Sequence, residues 1–240
     1  MSDLFAELDR QPTAVGEISL RRRRELTLDV DVYEVKLDDE FLMSSLFTEA
    51  EEQLAHLGLA AVDAEPGPAG LDVVVGGLGL GCTARAALEH PEVGSLRVVE
   101  LAAPVIDWHH RGLLPDSAAL TGDDRCTFVE GDFFALATGD EGFGGGGPGR
   151  VHAVLLDIDH TPSDLLHPRH GDFYASELLA GLAQRLHPGG VFALWSDSHD
   201  PDADEVLAQV FDDVATHVVE FPNPFTGETS SNVVYVARRG

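Results

Sequence analysis

Short apolar runs alternate with amphipathic helical segments along most of the chain. Five runs rich in valine, leucine and alanine have the length of buried strands: 72–75, 96–99, 126–129, 151–156 and 191–195. Helices are predicted among and after them at 83–88, 102–111, 173–186 and 202–215. The chain closes with strands at 216–221 and 233–237, whose short connection predicts an antiparallel hairpin at a sheet edge. The pattern predicts an α/β fold with a doubly wound, seven-stranded, mostly parallel sheet.

The N-terminal part has a different pattern. Residues 1–14 show no periodicity and are expected to be a frayed tail, whereas residues 17–45 predict a β-meander or hairpin turning at Asp38 and Asp39. Thr48 to Glu51 has capping-box spacing for a helix that is expected to end at Gly58. A Pro/Gly-rich segment at 61–70 then marks the boundary between an N-terminal unit, 1–60, and the main domain, 71–240.

Glycines and acidic residues follow successive predicted strands. Gly76, Gly77, Gly79 and Gly81 lie between a strand and a helix, where glycine lets the backbone pass close to a ligand. Glu100 ends the next strand, the position at which doubly wound folds hold the ribose hydroxyls of a nucleotide-like cofactor. Two further strands end in Asp132 and Asp157. The alternative is structural: glycines for packing and acids for helix capping.

The spacing of these residues fits either a nicotinamide cofactor or S-adenosylmethionine. Asp132 suits the adenine amino group, and the segment 186–190 before the fifth strand is typical of methyltransferase chains. Residues 71–238 therefore resemble the class I S-adenosylmethionine-dependent transferase fold.

A narrower resemblance extends to the N-terminal unit. Short motifs follow one another in a characteristic order: Val32-Tyr33-Glu34-Val35, Asp39-Glu40-Phe41, the glycine loop, Val98-Val99-Glu100, Gly131-Asp132 and Leu156-Asp157-Ile158-Asp159. Nearly the whole chain thereby resembles the spermidine synthase family, and most closely its spermidine-synthase-like branch. The resemblance implies that residues 76–81 and Glu100 hold the amino-acid and ribose parts of the cofactor, with Asp132 near adenine. It also implies that Asp157 or Asp159 occupies the position of the acid that deprotonates the attacking amine.

The chain departs from that family at three places. Gly79 stands where spermidine synthases have an aspartate that grips the aminopropyl ammonium, and Met43-Ser44 replaces a Tyr-Gln pair. The loop Asp157 to Pro162 is one residue longer. We therefore expect transfer, most simply of a methyl group, from S-adenosylmethionine or its decarboxylated form to a small amine-like acceptor. A strict aminopropyltransferase making spermidine and a non-catalytic binding module remain the alternatives.

Such a transfer needs a base for the acceptor's proton. Asp157, Asp159 and His160 are the candidates, and the two aspartates alternate along an extended segment, so their side chains point opposite ways. Asp197, His199 and Asp200 could bind a metal, but such loops are common and no metal is expected. The other histidines, His109, His110, His167 and His170, are expected at the surface, and Trp108 in the core.

Charge limits the partners. The 240 residues include 15 lysines and arginines against 42 aspartates and glutamates, a net charge of −27, which repels nucleic acid and anionic membranes. The short run Arg21 to Arg24 is accordingly expected to be a solvated strand surface. Two cysteines are too few for a disulfide framework, and no apolar stretch is long enough to span a membrane. We expect a cytoplasmic protein whose partner is a small-molecule acceptor, with a homodimer left open.

Overall fold

Two β-sheets organise the chain in a computed structural model that describes residues 4–13, 16–139, 142–143, 149–158 and 174–240. The strands are β1 (Phe5–Thr13), β2 (Gly16–Glu25), β3 (Val30–Leu37), β4 (Glu40–Ser44), β5 (Leu71–Gly76), β6 (Val93–Glu100), β7 (Cys126–Glu130), β8 (Val151–Leu156), β9 (Leu186–Ser196), β10 (Asp213–Asn223) and β11 (Glu228–Arg238). The helices are α1 (Glu49–Ala60), α2 (Cys82–Leu88), α3 (Ala103–His110), α4 (Ser117–Thr121), α5 (Phe133–Thr138), α6 (Ser176–Gln184) and α7 (Pro201–Val210). None of the helices in these ranges is long and apolar enough to cross a membrane.

The large sheet has the predicted doubly wound arrangement. Its order is β10-β11-β9-β8-β5-β6-β7, and the five strands from β9 to β7 run parallel. β11 is antiparallel to both β9 and β10, which confirms the terminal hairpin at one edge. The chain winds outward from β5 in both directions, so the strand order reverses between β5 and β8. Sheets of this kind bind ligands beyond the carboxyl ends of the strands at such a reversal.

Alternating side chains of the central strands build a core on each face of this sheet. Val73, Val75 and Leu155 pack with α1, α2 and α3, whereas Val74 and Val154 pack with α5, α6 and α7. This follows from the two-residue period of a strand, which sends successive side chains to opposite faces. Burial of both faces explains why these strands are nearly continuous apolar runs.

The N-terminal sheet is larger than expected, with four antiparallel strands in the order β1-β2-β3-β4. The expectation of a frayed tail was wrong, because residues 5–13 form β1 and pair with β2. Asp9 anchors this strand: its Oδ2 accepts hydrogen bonds from Nε1 of Trp108, at 2.7 Å, and from Arg111 on the chain just after α3, at 2.8 Å. Trp108 itself is fully buried, as expected.

The arginine run lies on β2, and two of its members pair with acidic neighbours. Arg23 binds Glu34 at 2.6 Å and Glu25 at 2.7 Å, and Arg24 binds Asp29 at 2.6 Å. The Arg23–Glu34 pair joins β2 to β3, and opposite charges paired across strands stabilise an antiparallel sheet. Apolar side chains of the same two strands, such as Leu20 and Val32, are buried.

Several element boundaries differ from expectation, and three of the differences have a visible cause. α1 continues through Gly58 to Ala60, and Thr48 makes no side-chain capping bond in the described residues. β9 begins at Leu186 because the segment before Val191 bonds to the chain end, with the Gly189 amide donating to the Arg239 carbonyl at 2.7 Å. α7 ends at Val210 rather than at residue 215, since residues 213–215 pair with β11. The division of the chain at residues 61–70 stays a prediction.

Gly58 lets α1 approach the large sheet closely. An ideal Cβ at this position would lie 2.7 Å from Cδ2 of Leu155 and 3.0 Å from Cβ of Ala193, both fully buried. The glycine is therefore a packing residue inside the helix rather than a helix terminator. This contact brings the first turn of α1 over the carboxyl ends of the strands.

Gly58→Ala is expected to destabilise the protein. The strain of an extra methyl group in a filled core, about 1–3 kcal/mol, outweighs a helix-propensity gain of about 1 kcal/mol. Gly181→Ala is the matched control, because Gly181 lies in α6 with open space where its Cβ would stand. Thermal unfolding should show a lower Tm for Gly58→Ala and a higher Tm for Gly181→Ala. A rise in both would contradict the packing role of Gly58.

Candidate functional site

The predicted site residues converge at the carboxyl edge of the large sheet. Backbone hydrogen bonds of 2.9 Å tie successive strand ends together: Asp157 N to Gly76 O, Gly77 N to Val99 O, and Gly131 N to Glu100 O. These bonds bring the glycine loop, Glu100, Asp132 and Asp157 to one edge, on both sides of the strand reversal. The shared edge that the sequence predicts for these residues is therefore observed.

The glycine loop between β5 and α2 has a conformation that side chains would obstruct. Gly77, Gly79 and Gly81 have positive φ angles of 93°, 46° and 94°. A Cβ at Gly77 would collide with the carbonyl oxygen of Asp157, and one at Gly81 would lie 2.6 Å from Cδ1 of Leu120. The loop can therefore pass beside Asp157 only with glycine at position 77.

Glu100 holds the glycine loop. Its Oε2 accepts hydrogen bonds from the amides of Leu78 at 3.0 Å and Gly79 at 3.5 Å, and its Oε1 accepts from the amide of Ala102 at 2.8 Å. Burial raises the pKa of Glu100, although these amide donors favour the ionised form and act in the opposite direction. Part of the residue remains accessible. Its predicted contact with ribose stays a prediction, beside this observed role in the loop.

Asp132 caps a helix. Its Oδ1 accepts from the amides of Phe134 at 2.9 Å and Ala135 at 3.3 Å, which makes it the N-cap of α5. One oxygen of Asp132 therefore has the structural role named as the alternative in the sequence, helix capping. A contact with adenine stays a prediction.

Asp157 belongs to a buried polar group that includes one acid missed by sequence reasoning. Its Oδ2 accepts a hydrogen bond of 2.8 Å from Oγ1 of Thr83, the second residue of α2. The same hydroxyl lies 3.2 Å from the backbone carbonyl of Glu51 in α1. Oε2 of Glu51 is buried and has no hydrogen-bond partner among the described residues.

Glu51 escaped sequence reasoning because the capping-box spacing assigned it to the helix start. The signal that could have identified it is its position three residues before Leu54, which is fully buried. Residues three apart lie on the same side of a helix. An acid on this side of α1 therefore faces the large sheet rather than solvent.

Burial and mutual repulsion control the charge of the two carboxyl groups. Burial, reinforced by the charge of Asp157, raises the pKa of Glu51 to about 8. Burial also raises the pKa of Asp157 to about 6, although the hydrogen bond from Thr83 lowers it. At neutral pH the pair therefore shares one negative charge, and the hydrogen bond from Thr83 favours Asp157 as its carrier. The neighbouring Cys82 is a neutral thiol, since burial raises its pKa to about 12.

Two residues from other parts of the fold pack against the glycine loop. Sδ of Met43, on β4, lies 2.8 Å from the position of an ideal Cβ on Gly79. Nε2 of His109, on α3, lies 2.9 Å from the Gly79 carbonyl oxygen. His109 is 1% exposed, so the expectation of a surface histidine was wrong, whereas His110 is exposed as expected. Val105 and Trp108, which precede His109 on α3, are buried as well, so this side of the helix faces the core.

The remaining candidates either lie outside the described residues or have other partners. Asp159 and His160, predicted as alternative bases, lie outside the described residues, as do His167 and His170. After β9, Asp197 accepts from Asn232 at 3.1 Å, His199 bonds Asp204 at 2.6 Å, and Asp200 caps α7. In the part of the chain that the structure describes, no three histidine, cysteine or acidic side chains are grouped to hold a metal ion.

Solved structures resemble this chain over nearly its whole length. A spermidine synthase in complex with the transition-state analogue AdoDATO has a TM-score of 0.73, covering 98% of this chain and 74% of its own, at 16% identity. Spermidine synthase from Thermotoga maritima has a TM-score of 0.71, covering 98% of this chain and 73% of its own, at 16% identity. A probable spermidine synthase from Corynebacterium glutamicum has a TM-score of 0.63, covering 96% of this chain and 79% of its own, at 17% identity. The chain has the spermidine synthase fold.

No protein-family model matches the chain. The structural superpositions nevertheless confirm the resemblance to spermidine synthases at the level of architecture, within the class I methyltransferase-like fold. They cover the N-terminal sheet as well as the doubly wound domain, because the matched share of this chain is almost complete. At this level of identity the superpositions show the fold alone.

Glu51→Gln is expected to stabilise the protein increasingly as the pH rises. The folded-state pKa of Glu51 lies above its unfolded value, so the wild type loses stability as the pH rises toward about 8. Glutamine does not ionise and avoids this loss. Thermal unfolding at pH 6 and pH 9 should show a Tm advantage of the variant that grows with pH. Glu49→Gln, at an exposed position of the same helix, should show no such growth, and an equal advantage at both pH values would refute the buried-acid interpretation.

Proposed function

We propose that this protein is a spermidine synthase-like transferase that uses S-adenosylmethionine or a derivative to modify a small amine-like acceptor, by methyl transfer. The observation that carries the proposal is the placement of Asp157 beside the glycine loop at the strand reversal. The loop suits a bound cofactor, and the carboxylate next to it suits a nucleophile that must lose a proton. The fold adds support, since a spermidine synthase of this architecture was solved with AdoDATO.

The glycine loop, Glu100 and Asp132 would hold the cofactor. The fit rests on the cradle formed by Gly77 and Gly81, where a Cβ would collide with protein atoms, and on the accessible edge of Glu100. A sulfonium cofactor supplies an activated carbon with a neutral thioether as leaving group. No metal is required for such a displacement, so the protein's contribution is to position the reactants and accept a proton.

Asp157 would accept the proton that the acceptor amine loses as its nitrogen bonds to carbon. Its pKa of about 6 leaves it ionised at neutral pH, while still close enough to the working pH for a general base. Glu51, protonated at neutral pH, would keep the pair at a single negative charge. That charge also attracts an acceptor that arrives as an ammonium ion, which first loses one proton to water because its nitrogen needs a free lone pair to attack.

Gly79 supports methyl transfer over aminopropyl transfer. A spermidine synthase-like aspartate at this position would supply a carboxylate for an aminopropyl ammonium, and here the thioether of Met43 fills the space beside Gly79. The strict aminopropyltransferase remains the second candidate because of Glu51. This acid, close to Asp157, would give up its proton beside a cationic group and would then supply a carboxylate from α1 in place of the loop residue.

Calorimetry with S-adenosylmethionine, its decarboxylated form and methylthioadenosine tests the proposal. We expect S-adenosylmethionine to bind more tightly than the decarboxylated form, and Glu100→Ala to weaken binding at least tenfold, the equivalent of about 1.4 kcal/mol. Glu205→Gln, an exposed residue on α7, is the control and should bind like wild type. A preference for the decarboxylated form would favour the aminopropyltransferase. Absence of binding to all three compounds would leave only the non-catalytic module.

The pH dependence of turnover tests the base. Release of the demethylated cofactor in the presence of a panel of small primary amines should fall as the pH drops through about 6, because Asp157 becomes protonated. Asp157→Asn should lower kcat by about 10²- to 10⁴-fold, as expected for loss of a general base. Activity that survives in this variant would assign the proton to another group.

Thr83→Val should move the acidic limb of this profile to higher pH. The hydroxyl hydrogen bond to Asp157 stabilises its ionised form, so removing it raises the pKa of Asp157. Thr83→Ser retains the donor and should restore the wild-type limb. An unchanged limb in Thr83→Val would mean that a residue other than Asp157 controls the profile.

A further inference from the structure

His109 is a buried titratable residue that the reaction proposed above does not use. It lies on α3 beneath the glycine loop, with its ring 3.0 Å (at Cε1) from the position of an ideal Cβ on Gly81 and 5.7 Å from the ring of Phe128. A histidine costs free energy when it is buried unless its nitrogens are hydrogen-bonded. The partners of its two nitrogens therefore indicate what it does.

The hydrogen bonds of His109 specify one tautomer. Nε2 is 2.9 Å from the carbonyl oxygen of Gly79, which can only accept, so Nε2 carries the hydrogen. Nδ1 is then unprotonated and accepts from Oγ of Ser117 at 3.5 Å. That hydroxyl in turn accepts from the amide of Leu114 at 3.3 Å. A neutral imidazole therefore gives every donor an acceptor from the Leu114 amide through Ser117 and His109 to the Gly79 carbonyl.

The surroundings of His109 keep it neutral. Burial lowers its pKa, while the bond to the Gly79 carbonyl and the charge of Asp116 act in the opposite direction. The neighbouring His110 on the same helix lowers the pKa further. The imidazole can therefore donate one hydrogen bond to the loop without bringing a charge into the protein interior.

The bond to His109 fixes the orientation of one peptide plane in the loop. Gly79 has φ of +46°, and glycine allows several orientations of the peptide that follows it. In a planar trans peptide the carbonyl and the next amide point in opposite directions, and the described chain contains no cis peptide. With the Gly79 carbonyl directed at His109, the Leu80 amide points away from α3. Glu100 meanwhile accepts from the amide on the other side of Gly79.

We propose that His109 is a positioning residue of the cofactor site, holding the Gly79 carbonyl so that the Leu80 amide is presented to the bound cofactor. This inference rests on the proposed function, because the site it serves is the one assigned to S-adenosylmethionine or its derivative. It adds a residue from α3 to a loop otherwise held by Glu100. His109 touches the loop and not the reacting atoms.

Calorimetric affinity for S-adenosylmethionine separates positioning from packing. His109→Met fills similar space without a donor and should weaken binding about three- to tenfold, the range expected for one hydrogen bond. His109→Gln places an amide donor near the position of Nε2 and should recover affinity to within about twofold, with the acceptor KM unchanged in both variants. His110→Met, on the exposed side of α3, should bind like wild type. Equal weakening in His109→Met and His109→Gln, or none in either, would overturn the proposal.

A nitrogen-15 NMR measurement on the wild-type protein tests the same inference if the Met variant does not fold. Long-range proton–nitrogen correlations should show His109 as the neutral Nε2–H tautomer, and Ser117→Ala should weaken cofactor binding in the same direction as His109→Met. A neutral Nδ1–H tautomer would overturn the positioning role. If wild type binds none of the three cofactor compounds, the proposed function fails together with this one, whereas wild-type binding that His109→Met leaves unchanged overturns this inference alone.

Discussion

The carboxyl edge of the large sheet depends on the hydrogen bonds between Glu100 and the glycine loop. One carboxylate from the end of β6 accepts amides of Leu78 and Gly79, which lie in the turn after β5. Without an acceptor, the amides of a loop with three left-handed glycines would need water or another partner. The carboxylate thus joins two neighbouring strands and sets the shape of the loop. The loop in turn packs directly against the backbone of Asp157, because no side chain fits between Gly77 and the Asp157 carbonyl.

This edge of the sheet brings two carboxyl groups, Glu51 and Asp157, into surroundings where burial opposes negative charge. Most of the 42 acidic residues belong to a surface that explains the net charge of −27. Glu51 and Asp157 differ because burial opposes their ionisation, and the pair meets this cost by keeping one proton at neutral pH. Buried acids that reduce stability are typical of sites selected for chemistry rather than for folding. The overall acidity of the chain and the acidity of its candidate site therefore have different physical origins.

Local patterns predicted the elements whose own residues show how they are buried. β5 and β8 were identifiable as apolar runs because both of their faces are buried, and the acids after the strands could be grouped because parallel strands end at one edge. β1 was not predictable, since its residues show no periodicity and the hydrogen bond that ties it to the large domain joins Asp9 to Trp108 across 99 residues. Glu51 and His109 escaped for the same reason: each sits on a helix whose local spacing suggested an ordinary role. Their partners, Thr83 and Gly79, are neighbours only in the folded chain.

The contact between Met43 and Gly79 places one determinant of the cofactor loop outside the doubly wound domain. A thioether from the N-terminal sheet occupies the space into which a side chain at residue 79 would extend. A side chain at residue 79 would therefore meet the end of the Met43 side chain, which is flexible and would have to turn aside. Over evolutionary time, a carboxylate at position 79 needs this adjustment in the N-terminal sheet as well as the substitution in the loop. A comparison of loop sequences by themselves would miss that adjustment.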